Sequence, residues 1–244
     1  MKSRITPLQV IVHLGGWFPL AQLVFDYFTR RMSINPIQEI EQRTGLAAIL
    51  FLVLSLACTP LNTLFGWREA VKRRKALGLY AFLYTSIHVA VFVGPDYGFV
   101  WGLIYDLIVN KIYLIVGTIA FLLLIPLALT SFKSSMKKLG MNWIRLHRLV
   151  YLIAPLVVLH YAWSKKGDLF HLRGDILKPL FYGGLVIFLL VLRLPFVRRA
   201  ASSFRTHLVR LVREVVSLLA PKSGARPPAS KNESSRPSEK KMPG

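Results

Sequence analysis

The sequence is poor in acid and nearly free of cysteine. Its 244 residues include 11 Asp and Glu and one Cys. A single thiol cannot close an internal disulfide, build a cysteine-based zinc site or hold an iron–sulfur cluster. No C-x-x-C-H occurs, which excludes a covalently attached c-type haem. Cys58 lies inside an apolar run and reads as a small packing residue. Charge is scarce overall. Only 18% of residues are charged, against about 25% in a soluble domain. No glycine-rich dinucleotide fingerprint and no internal repeat occur. Together these absences exclude an ordinary soluble enzyme domain.

What is present is apolar and basic. Hydrophobic residues make up 54% of the chain, and 32 Lys and Arg give a formal net charge of +21. Such a charge first suggests a nucleic-acid binder. The cations, however, gather in short clusters between long apolar blocks, which is the pattern of a multi-pass membrane protein. No nucleic-acid partner is expected.

A membrane-spanning helix needs about 20 mostly apolar residues. Six candidate spans meet this need. Ile5 to Phe25 carries no Asp, Glu, Lys or Arg, nor do Gly45 to Gly66, Ala76 to Pro95 and Ile112 to Phe132. The fifth, Asn142 to Ser164, has Arg145, His147 and Arg148 in its first turns. The sixth, Lys178 to Val197, has Arg193 near one end, where its long side chain is expected to snorkel. The first run contains His13 and ends at Asp26, Arg30 and Arg31, so it is expected to be a retained helix and not a cleaved signal.

The fold class expected is therefore an all-α integral membrane protein, a bundle of six transmembrane helices over residues 1–199. Basic clusters follow spans two, four and six, so the positive-inside rule places both termini in the cytoplasm. Tyr97 to Val109 is expected to form a short interfacial helix. Residues 200–220 are amphipathic and suit an anionic lipid surface at the cytoplasmic face. Residues 221–244 are rich in Pro, Ser and Lys and are expected to be a disordered basic tail.

Within the spans the polar group that stands out is histidine: His13, His88, His147 and His160. Ionisable residues inside a membrane are functional candidates. Neutral imidazole is a good iron ligand, and two helices can clamp a haem between them. Depth selects the pairs. From Ala76, His88 lies about 18 Å into its span; from Arg145, His160 lies about 22 Å into its own. The two match. His147 lies only about 3 Å in, so it would serve a second haem about 20 Å away. Along one straight helix His147 and His160 point about 140° apart; either Pro155 between them kinks the helix and shifts the phase, or the two face different helices. The partner of His147 is left open between Arg74 and His13. Arginine suits a haem propionate better than iron.

These residues sit in recognisable motifs. Span three opens Arg74-Lys75-Ala76-Leu77-Gly78-Leu79 and reaches His88; span two holds Thr59-Pro60-Leu61. Span four ends Leu127-Ala128-Leu129-Thr130-Ser131. Span five reads Leu139-Gly140-x-x-Trp143-x-x-Leu146-His147-Arg148-Leu149-Val150-Tyr151, then His160-Tyr161-x-Trp163. Over roughly residues 8 to 200 the chain resembles the MsrQ (YedZ) family, within the ferric-reductase-like transmembrane group. The family's paired arginine before Leu-Gly-Leu stands here as Arg74-Lys75, and its Arg-Pro-Tyr before span four as Lys111-Ile112-Tyr113.

The resemblance implies a b-type haem electron-transfer subunit, multi-pass in the bacterial inner membrane. Such a subunit takes electrons from the quinone pool and passes them to a periplasmic molybdopterin reductase, MsrP, that repairs oxidised methionine. The bond chemistry of that repair belongs to the separate reductase. The resemblance carries haem ligation to His88 and His160, associates His147 with a second haem, and adds FMN as a further cofactor. A related alternative is the haem component of a ferric-reductase or oxidase system. The tail is too short for a flavin domain, so that reading needs a separate flavin reductase. A non-redox channel or transporter fits less well, because the spans lack central carboxylates and broken half-helices.

Overall fold

The computed structural model describes residues 6–165 and 177–219, with no strand among them. The α-helices are α1 (Pro7–Phe28), α2 (Pro36–Phe65), α3 (Arg68–Val91), α4 (Trp101–Asn110), α5 (Ile112–Leu129), α6 (Lys133–Leu139), α7 (Met141–His147), α8 (Val150–Ser164), α9 (Leu177–Val191) and α10 (Pro195–Leu219). A π-helical turn, Phe92–Asp96, extends α3. Five of these segments are long and apolar enough to cross a membrane, and a sixth crosses if α9 and the start of α10 form one bent span. By packing, the chain divides into Met1–Arg205, which holds the helical bundle, and Thr206–Gly244. The expected tail, residues 221–244, lies outside the described residues.

The spans run alternately. Pro7, Phe65, Arg68, Leu129, Met141 and Val191 therefore fall at one end of the bundle, which also carries Lys72, Arg73, Lys75, Lys133, Lys137 and Lys138. This is the basic end; Phe28, Pro36, Val91, Ile112 and Ser164 mark the far end.

Helix α2 is the centre of the bundle. It buries Ala48, Ile49, Leu52, Val53 and Leu56, and Phe51 stacks on Tyr84 of α3 with ring centroids 5.5 Å apart. It starts nine residues before the expected Gly45, taking in Glu39, Glu41 and Arg43. Pro36 pre-sets the first turn, the Asn35 side chain caps the Gln38 N–H, and charges are tolerated where a helix projects beyond the hydrocarbon. Outward-facing residues such as Leu14, Phe18, Leu122 and Ile187 are exposed, as a lipid-facing surface requires.

Prolines inside these helices open backbone hydrogen bonds that lipid cannot satisfy, so neighbouring side chains must. At Pro19 of α1, the Tyr84 hydroxyl inserts into the next rung. It donates to the Gly16 carbonyl (2.7 Å) and accepts from the Leu20 N–H (3.1 Å).

Two helices depart from expectation. The fifth span is interrupted at Arg148–Leu149, not at Pro155, which lies inside α8. There the bonds tighten to the i−3 pattern, from Arg148 N–H to the Arg145 carbonyl and from Leu149 N–H to the Leu146 carbonyl. The sixth span ends at Val191, where the expectation was Val197, and turns by 79° into α10. Pro195 accounts for the turn: it has no N–H to return to Val191 and disfavours a helical residue before it. The expected interfacial segment is α4, and the expected amphipathic stretch lies within α10.

Candidate functional site

Four helix ends at the far end build the first layer. His88 sits in the last turn of α3 and His160 near the end of α8, and their ring centroids are 6.3 Å apart. The His88 Nδ1 donates to the Glu41 carbonyl of α2 at 2.9 Å. The His160 Nδ1 donates to the Tyr113 carbonyl of α5 at 2.7 Å. A carbonyl only accepts, so each bond fixes the tautomer: the proton is on Nδ1 and the Nε2 lone pair is free.

The same local device serves both rings. Each carbonyl belongs to the residue four before a glycine, Gly45 in α2 and Gly117 in α5. A Cβ on Gly117 would lie 2.6 Å from the His160 Nδ1, and one on Gly45 would lie 3.4 Å from the His88 Nδ1. The missing side chains are what allow each imidazole to lie against a neighbouring helix. Because the Tyr113 contact is through backbone, Ile112 in place of the family's proline leaves it intact.

This layer fits a haem. Two imidazoles bound through about 2 Å to opposite sides of one iron place their centroids a little over 6 Å apart. Among the described residues, no group of three or more His, Cys, Asp or Glu gathers to hold a metal ion. A pair of nitrogens suits a metal whose remaining positions a macrocycle fills. The Nδ1 bonds are the outer-sphere contacts that orient such ligands.

The second layer lies near the basic end. His147 ends α7; its Nδ1 donates to the Trp143 carbonyl (3.2 Å) and its ring packs on the Trp143 indole at 4.1 Å. Trp143 in turn donates from Nε1 to the Thr130 carbonyl (2.9 Å), fastening α7 to the end of α5. Arg74 on α3 accepts through its backbone carbonyl from the Ser55 hydroxyl of α2 (3.0 Å). Along α3, Arg74 and His88 are 14 residues apart, about 21 Å. His13 is not in this group of contacts: its Nδ1 lies 2.9 Å from the Tyr80 hydroxyl, on an exposed face of α1.

Arg193 is the residue that sequence reasoning missed. Its place near the end of the sixth span suggested a side chain able to snorkel; the guanidinium packs against α2 and α8. Its guanidinium donates to the Leu56 carbonyl (2.6 Å), to Thr59 Oγ1 (3.3 Å) and to the Tyr151 hydroxyl (3.3 Å). It also lies 5.4 Å from the centre of the Tyr151 ring. The Leu56 carbonyl is the one that Pro60, lacking an N–H, leaves without its helical partner. An apolar helix with an internal proline, and a lone arginine in another span, were the two signals that pointed to this contact.

Fold and site together define a multi-pass helical membrane protein with paired, tautomer-fixed histidines at one level. The ferric reductase like transmembrane component family matches residues 44–158. The chain is 41% identical over 204 residues to the protein-methionine-sulfoxide reductase heme-binding subunit MsrQ of Rhodospirillum rubrum, covering 83% of this chain and 95% of that one. Proteins of the same name from Xanthomonas euvesicatoria and Xanthomonas oryzae are 38% identical over 195 residues, covering 78% of this chain and 86% of theirs. The chain belongs to the MsrQ family. It is a multi-pass protein of the bacterial inner membrane.

Proposed function

We propose that the chain is the b-haem electron-transfer subunit of a methionine sulfoxide reductase system. In this reading it takes electrons from the quinone pool and delivers them to a periplasmic molybdopterin reductase of the MsrP kind. The observation that carries the reading is the His88–His160 pair at 6.3 Å, each ring held by a backbone carbonyl through Nδ1. A haem bound there would supply one-electron transfer. His88 and His160 offer Nε2 lone pairs, the Glu41 and Tyr113 carbonyls keep the rings in place, and the surrounding apolar helices exclude water.

The positive-inside rule assigns the basic end to the cytoplasm, so the His88–His160 layer faces the periplasmic side, near the electron acceptor. His147 would hold a second haem nearer the cytoplasm, with Arg74 facing a propionate. The basic clusters and α10 meet anionic lipid there. A quinol gives two electrons and two protons while a haem takes one electron at a time; FMN, carried over from family likeness alone, is the other group able to bridge that mismatch.

Absorption spectroscopy of the purified protein tests the reading. The His88→Ala, His160→Ala double variant is expected to lose the share of the Soret absorbance that belongs to this layer. A protein without a Soret band, or a double variant that keeps it unchanged, overturns the reading.

A further inference from the structure

His13 belongs to neither histidine layer, and it sits where an ionisable side chain is least expected. Helix α1 packs on the bundle through Val12, Gly16 and Leu20. His13, Leu14, Trp17 and Phe18 are exposed on the surface that meets lipid. The basic end of α1 is marked by the Arg73 guanidinium, which donates to Thr6 Oγ1 at 3.1 Å. His13 is seven residues further on, about 10 Å into the span. Hydrocarbon at that depth offers a ring nitrogen no water, and a polar atom left without a partner is costly. The His13 Nδ1 is taken by the Tyr80 hydroxyl at 2.9 Å. Its Nε2 has no hydrogen-bond partner among the described residues.

The surroundings of that nitrogen form a shelf for a flat polar ring. His13, Gly16 and Trp17 stand at i, i+3 and i+4, so they share one face of α1. Gly16 is what lets α3 come close, since a Cβ there would lie 2.3 Å from Tyr80 Cζ. Over it stands the Tyr80 ring, edge-on to His13 at 5.9 Å and to Trp17 at 6.1 Å. Trp17 is 54% exposed although it lies midway along α1, away from the interfacial level where tryptophan ordinarily anchors. Beside it the shelf is open: a Cβ on Gly15 would meet nothing within 4 Å. We propose that His13, Tyr80 and Trp17 bind the headgroup of a lipid-dissolved hydroquinone, with one hydroxyl on the His13 Nε2 and the ring against the Trp17 indole. The proposal rests on the quinol-donor reading given above and adds the place where the donor binds. A hydroquinone arrives through the hydrocarbon, its ring is flat and aromatic, and its hydroxyls donate and accept. A phospholipid headgroup stays at the interface and does not reach this depth. Tyr80 and His88 are eight residues apart on α3, about 12 Å, so the shelf opens a short step from the His88–His160 layer.

Haem reduction by a short-chain hydroquinone tests the site. Full-length protein, purified in detergent with its haem, is mixed anaerobically with decylubiquinol, and the reduced haem band is followed by stopped flow over a range of quinol concentrations. Wild type is compared with His13→Phe, which keeps a lipid-compatible ring and removes both nitrogens, with His13→Gln, and with Tyr80→Phe. His13→Phe is expected to need about tenfold more quinol for its half-maximal rate, the scale of one hydrogen bond lost in an apolar site. Tyr80→Phe should show a smaller increase, and His13→Gln, which keeps a hydrogen-bonding head, should recover part of the loss. Haem content and full reduction by dithionite should stay as in wild type, which damage to the fold would not allow. An azidoquinone photoprobe decides without any variant: on wild-type protein it should label the peptide that carries His13 and Trp17. An unchanged quinol dependence in His13→Phe, or labelling confined to other helices, overturns the proposal. A wild type that dithionite reduces and the quinol does not overturns the quinol-donor reading itself, a distinct outcome.

Discussion

Two arginines inside the first unit show how the ends of the bundle differ. Arg43 at the far end is fully answered by acid: Asp26 at 2.5 Å and Glu39 at 2.6 Å. Arg193 toward the basic end is answered by a carbonyl, a threonine and a tyrosine. The histidines divide the same way. His88 and His160 lie 6.3 Å apart, each held by a backbone carbonyl of another helix, while the His147 ring packs on the Trp143 indole of its own helix. The far layer holds two imidazoles fixed through backbone carbonyls, beside a buried Glu41 carboxyl oxygen that has no hydrogen-bond partner among the described residues. Toward the basic end the Arg193 Nε is buried without a hydrogen-bond partner among the described residues.

The largest expected effect lies in the far layer. Removing both imidazoles by His88→Ala and His160→Ala should abolish its haem, read as loss of the corresponding share of the Soret absorbance. Gly117→Ala should come next. Its new methyl would stand 2.6 Å from the His160 Nδ1, inside any allowed contact. Overpacking of this kind costs about 1–3 kcal/mol. Thermal denaturation and haem retention through purification should both fall. Gly45→Ala meets the His88 ring at 3.4 Å. It should cost less than Gly117→Ala, and equal losses would break the account of the two glycines.

Tyr84→Phe tests the neutral counterpart of Arg193. Without its hydroxyl, the Gly16 carbonyl and Leu20 N–H beside Pro19 lose their shared partner. An unsatisfied buried group costs about 1–3 kcal/mol, so the melting temperature should drop while haem content per folded chain stays the same. Arg43→Ala should do least. Its side chain is 36% exposed, and exposed ion pairs contribute about 0–1 kcal/mol, shrinking as salt rises. A large loss of haem in Arg43→Ala would erase the contrast between the two arginines.

Much of this was legible in the sequence, for physical reasons. Apolar run length set the spans, because the hydrocarbon thickness fixes how many residues cross it. The rise per residue brought His88 and His160 to one depth. The partners of their Nδ1 atoms were not legible, since a backbone carbonyl carries no residue signature. The only trace was a glycine one turn beyond each, at Gly45 and Gly117. The interruption at Arg148–Leu149 was not legible, because the tightened hydrogen bonds there leave no mark in composition. The contacts of Arg193 were not legible because they are made to other helices, at Leu56, Thr59 and Tyr151.

The most direct test of the central claim is the low-temperature electron paramagnetic resonance spectrum of the oxidised protein, taken with single His88→Ala and His160→Ala variants. The account predicts a low-spin ferric signal of bis-imidazole type that either substitution removes or converts to high spin. A low-spin signal of that type surviving unchanged in both single variants would contradict it.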